Sequence, residues 1–172
     1  MVLDKIKCNI IVCGPAVGKT YLAMHDKRFV DVDGLKNDYK YDLYDMSLLD
    51  KEKNKLNRGD IVNGDSLEYS IRLLERTLEE KKIVLISFDN KLIDYILDKG
   101  YEYCLVYANY NLREEYAKRM EERGNEINFI EEMTGEKEWE QFYNENINDP
   151  KPKYKIELKS REFLSDIKEV FI

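Results

Sequence analysis

A stretch at positions 6–12 rich in apolar, β-branched residues opens directly onto Cys13-Gly14-Pro15-Ala16-Val17-Gly18-Lys19-Thr20, and no other stretch restricts the fold as much. A short apolar run of this kind reads as a strand buried on both faces, because a parallel strand covered by helices has no solvent side to fill with polar residues. The octapeptide after it approximates the spacing G-x-x-x-x-G-K-[ST], a tight turn whose backbone N–H groups converge on phosphate and whose helix adds its positive end. The chain matches at Gly18, Lys19 and Thr20 but carries Cys13 where the first glycine belongs, with Gly14 one place later. A small side chain fits there if its φ stays negative, and the later positions keep glycine. Gly-Lys-Thr alone occurs by chance; strand, loop and helix in the required order carry the reading. Gly14, Pro15, Ala16, Val17, Gly18, Lys19 and Thr20 are therefore the expected phosphate-binding residues. Lys19 would contact the β and γ phosphates of ATP, and the Thr20 hydroxyl would bind Mg²⁺.

Further along, residues 20–25 read as a short helix and Phe29-Val30-Asp31-Val32-Asp33-Gly34 as a second strand ending in acidic residues. Leu67, Ile71, Leu74 and Leu78 recur at helical spacing before a third apolar run at 83–88, which stops at an Asp89-Asn90 turn. A helix over 92–97 closed by Gly100, a strand over 103–108 and a strand over 154–158 complete the pattern. Strands alternating with helices predict an α/β fold with a five-stranded parallel sheet, helices on both faces and right-handed crossovers. Analogy with other sheets that carry such loops gives the order 2-3-1-4-5. Ligands of open α/β sheets bind at the carboxyl ends of the strands, so Asp31 and Asp33 point toward the phosphate loop. One carboxylate would hold Mg²⁺-bound water and the other would accept the proton of an attacking hydroxyl. Capping of a following helix is the bland alternative.

The 172 residues suit one domain with a real core, and 43% hydrophobic content with few Gly and Pro describes an ordered chain. No apolar run approaches the ~20 residues of a membrane span and no signal peptide is evident, so a cytoplasmic protein without a membrane partner is expected. Three cysteines, Cys8, Cys13 and Cys104, have no metal-type pairing and read as buried reduced thiols. A net charge of −7 opposes broad binding to a nucleic-acid backbone but leaves a local basic cleft open, the most basic stretch being 51–58. Within the single domain 1–172, two segments lie outside the sheet pattern. Segment 34–64 carries Tyr39, Tyr41 and Tyr44, whose rings suit base stacking, while Arg58 or Arg72 would grip an acceptor phosphate. Segment 109–149 is charged and helical, and in it Arg119 and Arg123 are four apart, sharing one helix face. They would meet one anion together, or Glu115 would simply pair with Arg119 on an exposed helix. Trp139, with Phe142 and Tyr143, reads as core, and the single histidine, His25, as structural.

The strand, the CGPAVGKT loop, the short helix and FVDVDG together resemble the small P-loop kinases: shikimate, gluconate and nucleoside-monophosphate kinases. The D-x-D matches the shikimate-kinase arrangement best, which implies Asp31 near Mg²⁺ and Asp33 at the acceptor hydroxyl. The third strand departs from these families. Ile83-Val84-Leu85-Ile86-Ser87-Phe88-Asp89 has neither the triple glycine of shikimate kinases nor the D-G-[FY]-P-R of adenylate kinases, leaving Ser87 or Asp89 as the polar element there. The resemblance also implies that 109–149 is a lid-like segment whose Arg119 and Arg123 close over the transferring phosphoryl group. Its L-R-E-E-Y-x-x-R-x-x-x-R-G-N core, with Phe129, Trp139 and the later Phe163-Leu164-Ser165-Asp166-Ile167, is similar to P-loop proteins of Gram-positive bacteria and their phages described as adenylate-kinase-like or nucleotide-kinase-like. The expectation is a Mg²⁺-dependent kinase that passes the γ-phosphoryl of ATP to a small acceptor, a nucleoside or nucleotide. A nucleotide-binding sensor with little turnover and a polynucleotide or modified-base kinase are the alternatives.

Overall fold

The computed structural model describes residues 5–33 and 67–171. Tyr39, Tyr41, Tyr44, Arg58, the basic stretch 51–58 and the proposed acceptor segment 34–64 lie outside the described residues.

Five strands, β1 (Ile10–Cys13), β2 (Phe29–Asp31), β3 (Ile83–Ile86), β4 (Cys104–Ala108) and β5 (Tyr154–Leu158), form one parallel sheet of order β2-β3-β1-β4-β5. β1 and β3 are buried at every position, as continuous apolar runs require when helices cover both faces. Alternate residues of a strand face opposite sides, so the sheet divides the interior in two. On one side Ile11, Cys13, Leu85 and Val106 pack with Leu22, Tyr116, Met120 and Leu164; on the other Ile10, Val12, Val84 and Ile86 pack with Leu74, Leu92 and Ile96.

Among the described residues the helices that pack on the sheet include α1 (Lys19–His25), α2 (Leu67–Glu79), α3 (Asn90–Asp98), α4 (Arg113–Glu122), α5 (Ile127–Thr134), α6 (Glu136–Asn148) and the short α7 (Leu164–Ile167). Gly100, with φ of +74°, ends the region after α3 as the spacing predicts. Segment 109–149 contributes side chains to the core. Leu112, Tyr116, Met120 and Trp139 are buried, and the Trp139 indole N–H donates to the Tyr110 carbonyl at 2.7 Å. Tyr143, one helical turn after Trp139, donates its hydroxyl to Glu157 at 3.1 Å. Phe142 corrects the expectation of a third core aromatic: it is exposed, one residue off the stripe that Trp139 and Tyr143 define.

Two strand ends differ from the apolar runs. The first strand begins at Ile10, because Ile6 bridges instead to Phe171, its N–H donating to the Val170 carbonyl at 2.7 Å. Cys8 thus precedes β1 and turns its thiol onto the Ile10 carbonyl at 3.1 Å. The second strand ends at Asp31, and Val32 and Asp33 already open a helical turn.

The Cys13 substitution also finds its reason here. Cys13 is the last residue of β1, paired with Val106 of β4, fully buried and outside the left-handed region, so the turn begins only at Gly14. Burial pushes its thiol up to about 12, with the nearby carboxylates adding to the rise and Lys19 opposing it. The thiol stays protonated at neutral pH and is a packing group. Cys13→Gly is therefore expected to lower stability by about 2 kcal/mol, from the lost buried atoms and the freer backbone of the unfolded chain. Urea denaturation measures this; an unchanged midpoint would contradict it.

Candidate functional site

The loop between β1 and α1 stands at the carboxyl edge of the sheet. Two of its residues have left-handed backbones, Ala16 at φ 61° and Gly18 at φ 90°. Glycine is required at the second, where a Cβ would be both strained and 3.4 Å from the Phe163 ring. At Gly14 a Cβ would meet only the Phe88 ring, at an ordinary 3.6 Å. Lys19 folds back so that its Nζ donates to the Gly14 carbonyl at 3.1 Å, which places the ammonium on the loop itself.

Thr20, in the first turn of α1, and Asp31, at the end of β2, meet directly. The Thr20 hydroxyl donates to Asp31 Oδ2 at 2.8 Å, and Asp31 is 6% exposed at the end of β2. Asp33, past the strand, faces β3: its Oδ2 accepts the Ser87 backbone N–H at 2.6 Å. The helical turn at Val32 is what parts the two carboxylates, since continued strand would have kept both on one face. One therefore serves the α1 side of the edge and the other the β3 side.

Asp89 is taken up elsewhere, its Oδ1 accepting the N–H groups of Lys91 and Leu92 at 3.0 and 3.2 Å as the cap of α3. Of the two candidates after β3, Ser87 is the one tied to Asp33, and through its backbone, which residue type does not reveal. Phe88 beside it is 45% exposed. Arg119 lies on the opposite flank, nearly buried and bonded to the Ala16 carbonyl of the loop at 3.4 Å. Arg123 is exposed at the end of α4, and Arg72 is exposed on α2, 3.9 Å from Glu68. His25 stacks on Tyr21 at 3.9 Å and bonds to its carbonyl, consistent with a structural part.

The Thr20 hydroxyl and the buried Asp31 carboxylate are the two groups at this edge that could hold part of the shell of a divalent cation. Among the described residues no group of three or more His, Cys, Asp or Glu side chains could hold a metal alone. Mg²⁺ is usually held by one or two carboxylates with waters and substrate phosphates, a requirement that one hydroxyl and one buried carboxylate beside a glycine loop could meet. An open depression of about 550 Å³ bounded by Lys7, Asn9, Leu78, Tyr101 and Glu102 lies at the other end of the strands, away from these groups.

Comparison with protein-family models, with curated proteins and with solved structures finds no match. Among the described residues no helix is long and apolar enough to cross a membrane.

Proposed function

We propose that this chain is a P-loop phosphotransferase that moves the γ-phosphoryl group of MgATP onto a small acceptor, a nucleoside or nucleotide. The observation that carries the reading is the division of labour at the sheet edge: Thr20 and Asp31 bonded at 2.8 Å on one side of the loop, Asp33 bonded to Ser87 N at 2.6 Å on the other. Residues 14–18 cradle the phosphates, and Lys19 exchanges the Gly14 carbonyl for the β and γ oxygens. Thr20 and Asp31 would hold Mg²⁺, which when bound would neutralise charge on the phosphate oxygens. Ser87 N holds one oxygen of Asp33 while the other takes the acceptor hydroxyl, removing its proton as the oxygen bonds to phosphorus and ADP leaves. Arg123, on the exposed end of α4, is the cation assigned to the transferring phosphoryl group.

Thr20→Val, which keeps the branch and removes the oxygen, is expected to raise the Mg²⁺ concentration for half-maximal activity by about tenfold or more, while Thr20→Ser stays near wild type. Titration of Mg²⁺ at fixed ATP checks this, and an unchanged requirement in Thr20→Val would remove the hydroxyl from the metal site. The reading as a whole is tested by incubating the protein with γ-labelled MgATP and a panel of nucleosides, nucleotides, sugar acids, shikimate-like acids and DNA 5′-hydroxyl ends. Labelled product with a nucleoside or nucleotide supports it. Product only with DNA ends makes the chain a polynucleotide kinase, and tight ATP binding with no product from any acceptor makes it a sensor.

A further inference from the structure

The side chain of Arg119 is about 10% exposed, and its bonds run to three places at once. Nη1 donates to the Ala16 carbonyl at 3.4 Å and to the Glu162 carbonyl at 3.2 Å, while Nη2 donates to Glu162 O at 3.2 Å and to Glu115 Oε1. The guanidinium lies 3.9 Å from the centre of the Phe163 ring, and that ring rests against Gly18. Glu115 does more than balance the charge. Its Oε1 also accepts the Arg161 N–H at 2.9 Å, and its Oε2 accepts the Ser160 hydroxyl at 2.8 Å. The turn after β5 is thus fastened to α4, and it is joined to the glycine loop a second time where Leu164 N donates to the Val17 carbonyl at 3.0 Å.

Ala16 is the residue that this bracing explains. At φ 61° it holds a left-handed backbone that L-residues other than Asn and Asp seldom adopt, so contacts around it must maintain it. We propose that the Glu115–Arg119 pair is a strut that fixes Ala16 in its left-handed conformation and so keeps the loop in its phosphate-binding shape. Arg119 is then a positioning residue behind the loop, distinct from the charge-stabilising role that its spacing to Arg123 suggests. The planar fork suits this site, because its two terminal nitrogens bond the Ala16 carbonyl and the Glu115 carboxylate separately, whereas a lysine offers a single nitrogen. The consequence for binding rests on the phosphate-site reading; the strut itself does not.

Amide hydrogen exchange over residues 14–18 and calorimetric affinity for MgATP, measured on the folded full chain, test it. Arg119→Ala is expected to speed exchange across the loop and weaken MgATP by about tenfold, the scale of a left-handed alanine left unsupported. Arg119→Lys should do the same. Ala16→Gly, which enters the left-handed region freely, should restore most of the affinity when combined with Arg119→Ala. A residue that merely supports the fold would not be rescued this way, since glycine only makes the unfolded chain freer. If Arg119→Ala fails to fold, Glu115→Gln loosens the strut with the side-chain shape kept, and faster loop exchange is again expected. Unchanged loop exchange in the folded variant, or an affinity loss equal with and without Ala16→Gly, overturns the strut. Faster exchange in a protein whose wild type binds no MgATP upholds the strut and defeats the phosphate-site reading instead.

Discussion

Lys19→Ala is expected to cut phosphoryl transfer by roughly 10²–10³-fold or more while the protein stays folded, the scale on which loss of one preorganised donor to a charged transition state is felt. The two halves of the result have separate causes. Lys19 is half-buried and its ammonium bonds to the Gly14 carbonyl at the loop surface, so its removal takes little packing away. Its charge, by contrast, would under the proposed chemistry meet the negative charge that gathers on the β and γ oxygens. Product formation from labelled ATP, set beside a thermal unfolding curve, measures both. Unaltered turnover in a folded Lys19→Ala protein is incompatible with the proposed chemistry.

Asp33→Asn separates chemistry from binding. The amide oxygen of asparagine still accepts the Ser87 N–H, so the edge of β3 should hold its shape. What is lost is the carboxylate that in the proposed mechanism takes the acceptor proton, and transfer is expected to fall by about 10²-fold or more with MgATP affinity nearly unchanged. In a sensor the aspartate would only tie β3 to the turn after β2, and the substitution would alter neither quantity. Calorimetric MgATP affinity measured beside product formation with the best acceptor decides between them; equal transfer rates would take Asp33 out of the mechanism.

The sheet is legible in the sequence because each central strand is buried on both faces and so carries a near-continuous apolar run that local composition reveals. Its order comes from analogy, and the structure has the same order. Pattern does not reveal features decided by distant partners. The first apolar run begins before β1 because Ile6 finds Phe171 at the far end of the chain. Asp31 and Asp33 alternate as strand residues do, yet the chain leaves the strand between them, and only the fold shows that they face different neighbours. Thr20 and Asp31 are singled out together by their places after the loop and at a strand end, and the structure brings them into contact. Arg119 illustrates the limit of spacing arguments. The i,i+4 relation offers both Glu115 and Arg123 as partners in principle, but the Ala16 and Glu162 carbonyls that occupy its guanidinium lie far off in sequence and belong to backbone. Phe142 falls out of the core for a simpler reason, a helix face one residue narrower than the aromatic cluster.

The central claim is that the loop at residues 14–20 holds a nucleoside triphosphate together with Mg²⁺. Calorimetric titration of ATP into the wild-type chain, with and without Mg²⁺ and alongside Lys19→Ala and Thr20→Val, tests it most directly. The account predicts one site per chain, tighter with Mg²⁺ than without, weakened strongly by Lys19→Ala and stripped of its Mg²⁺ dependence by Thr20→Val. Absence of ATP binding by the folded wild type, or binding indifferent to Lys19, would contradict it.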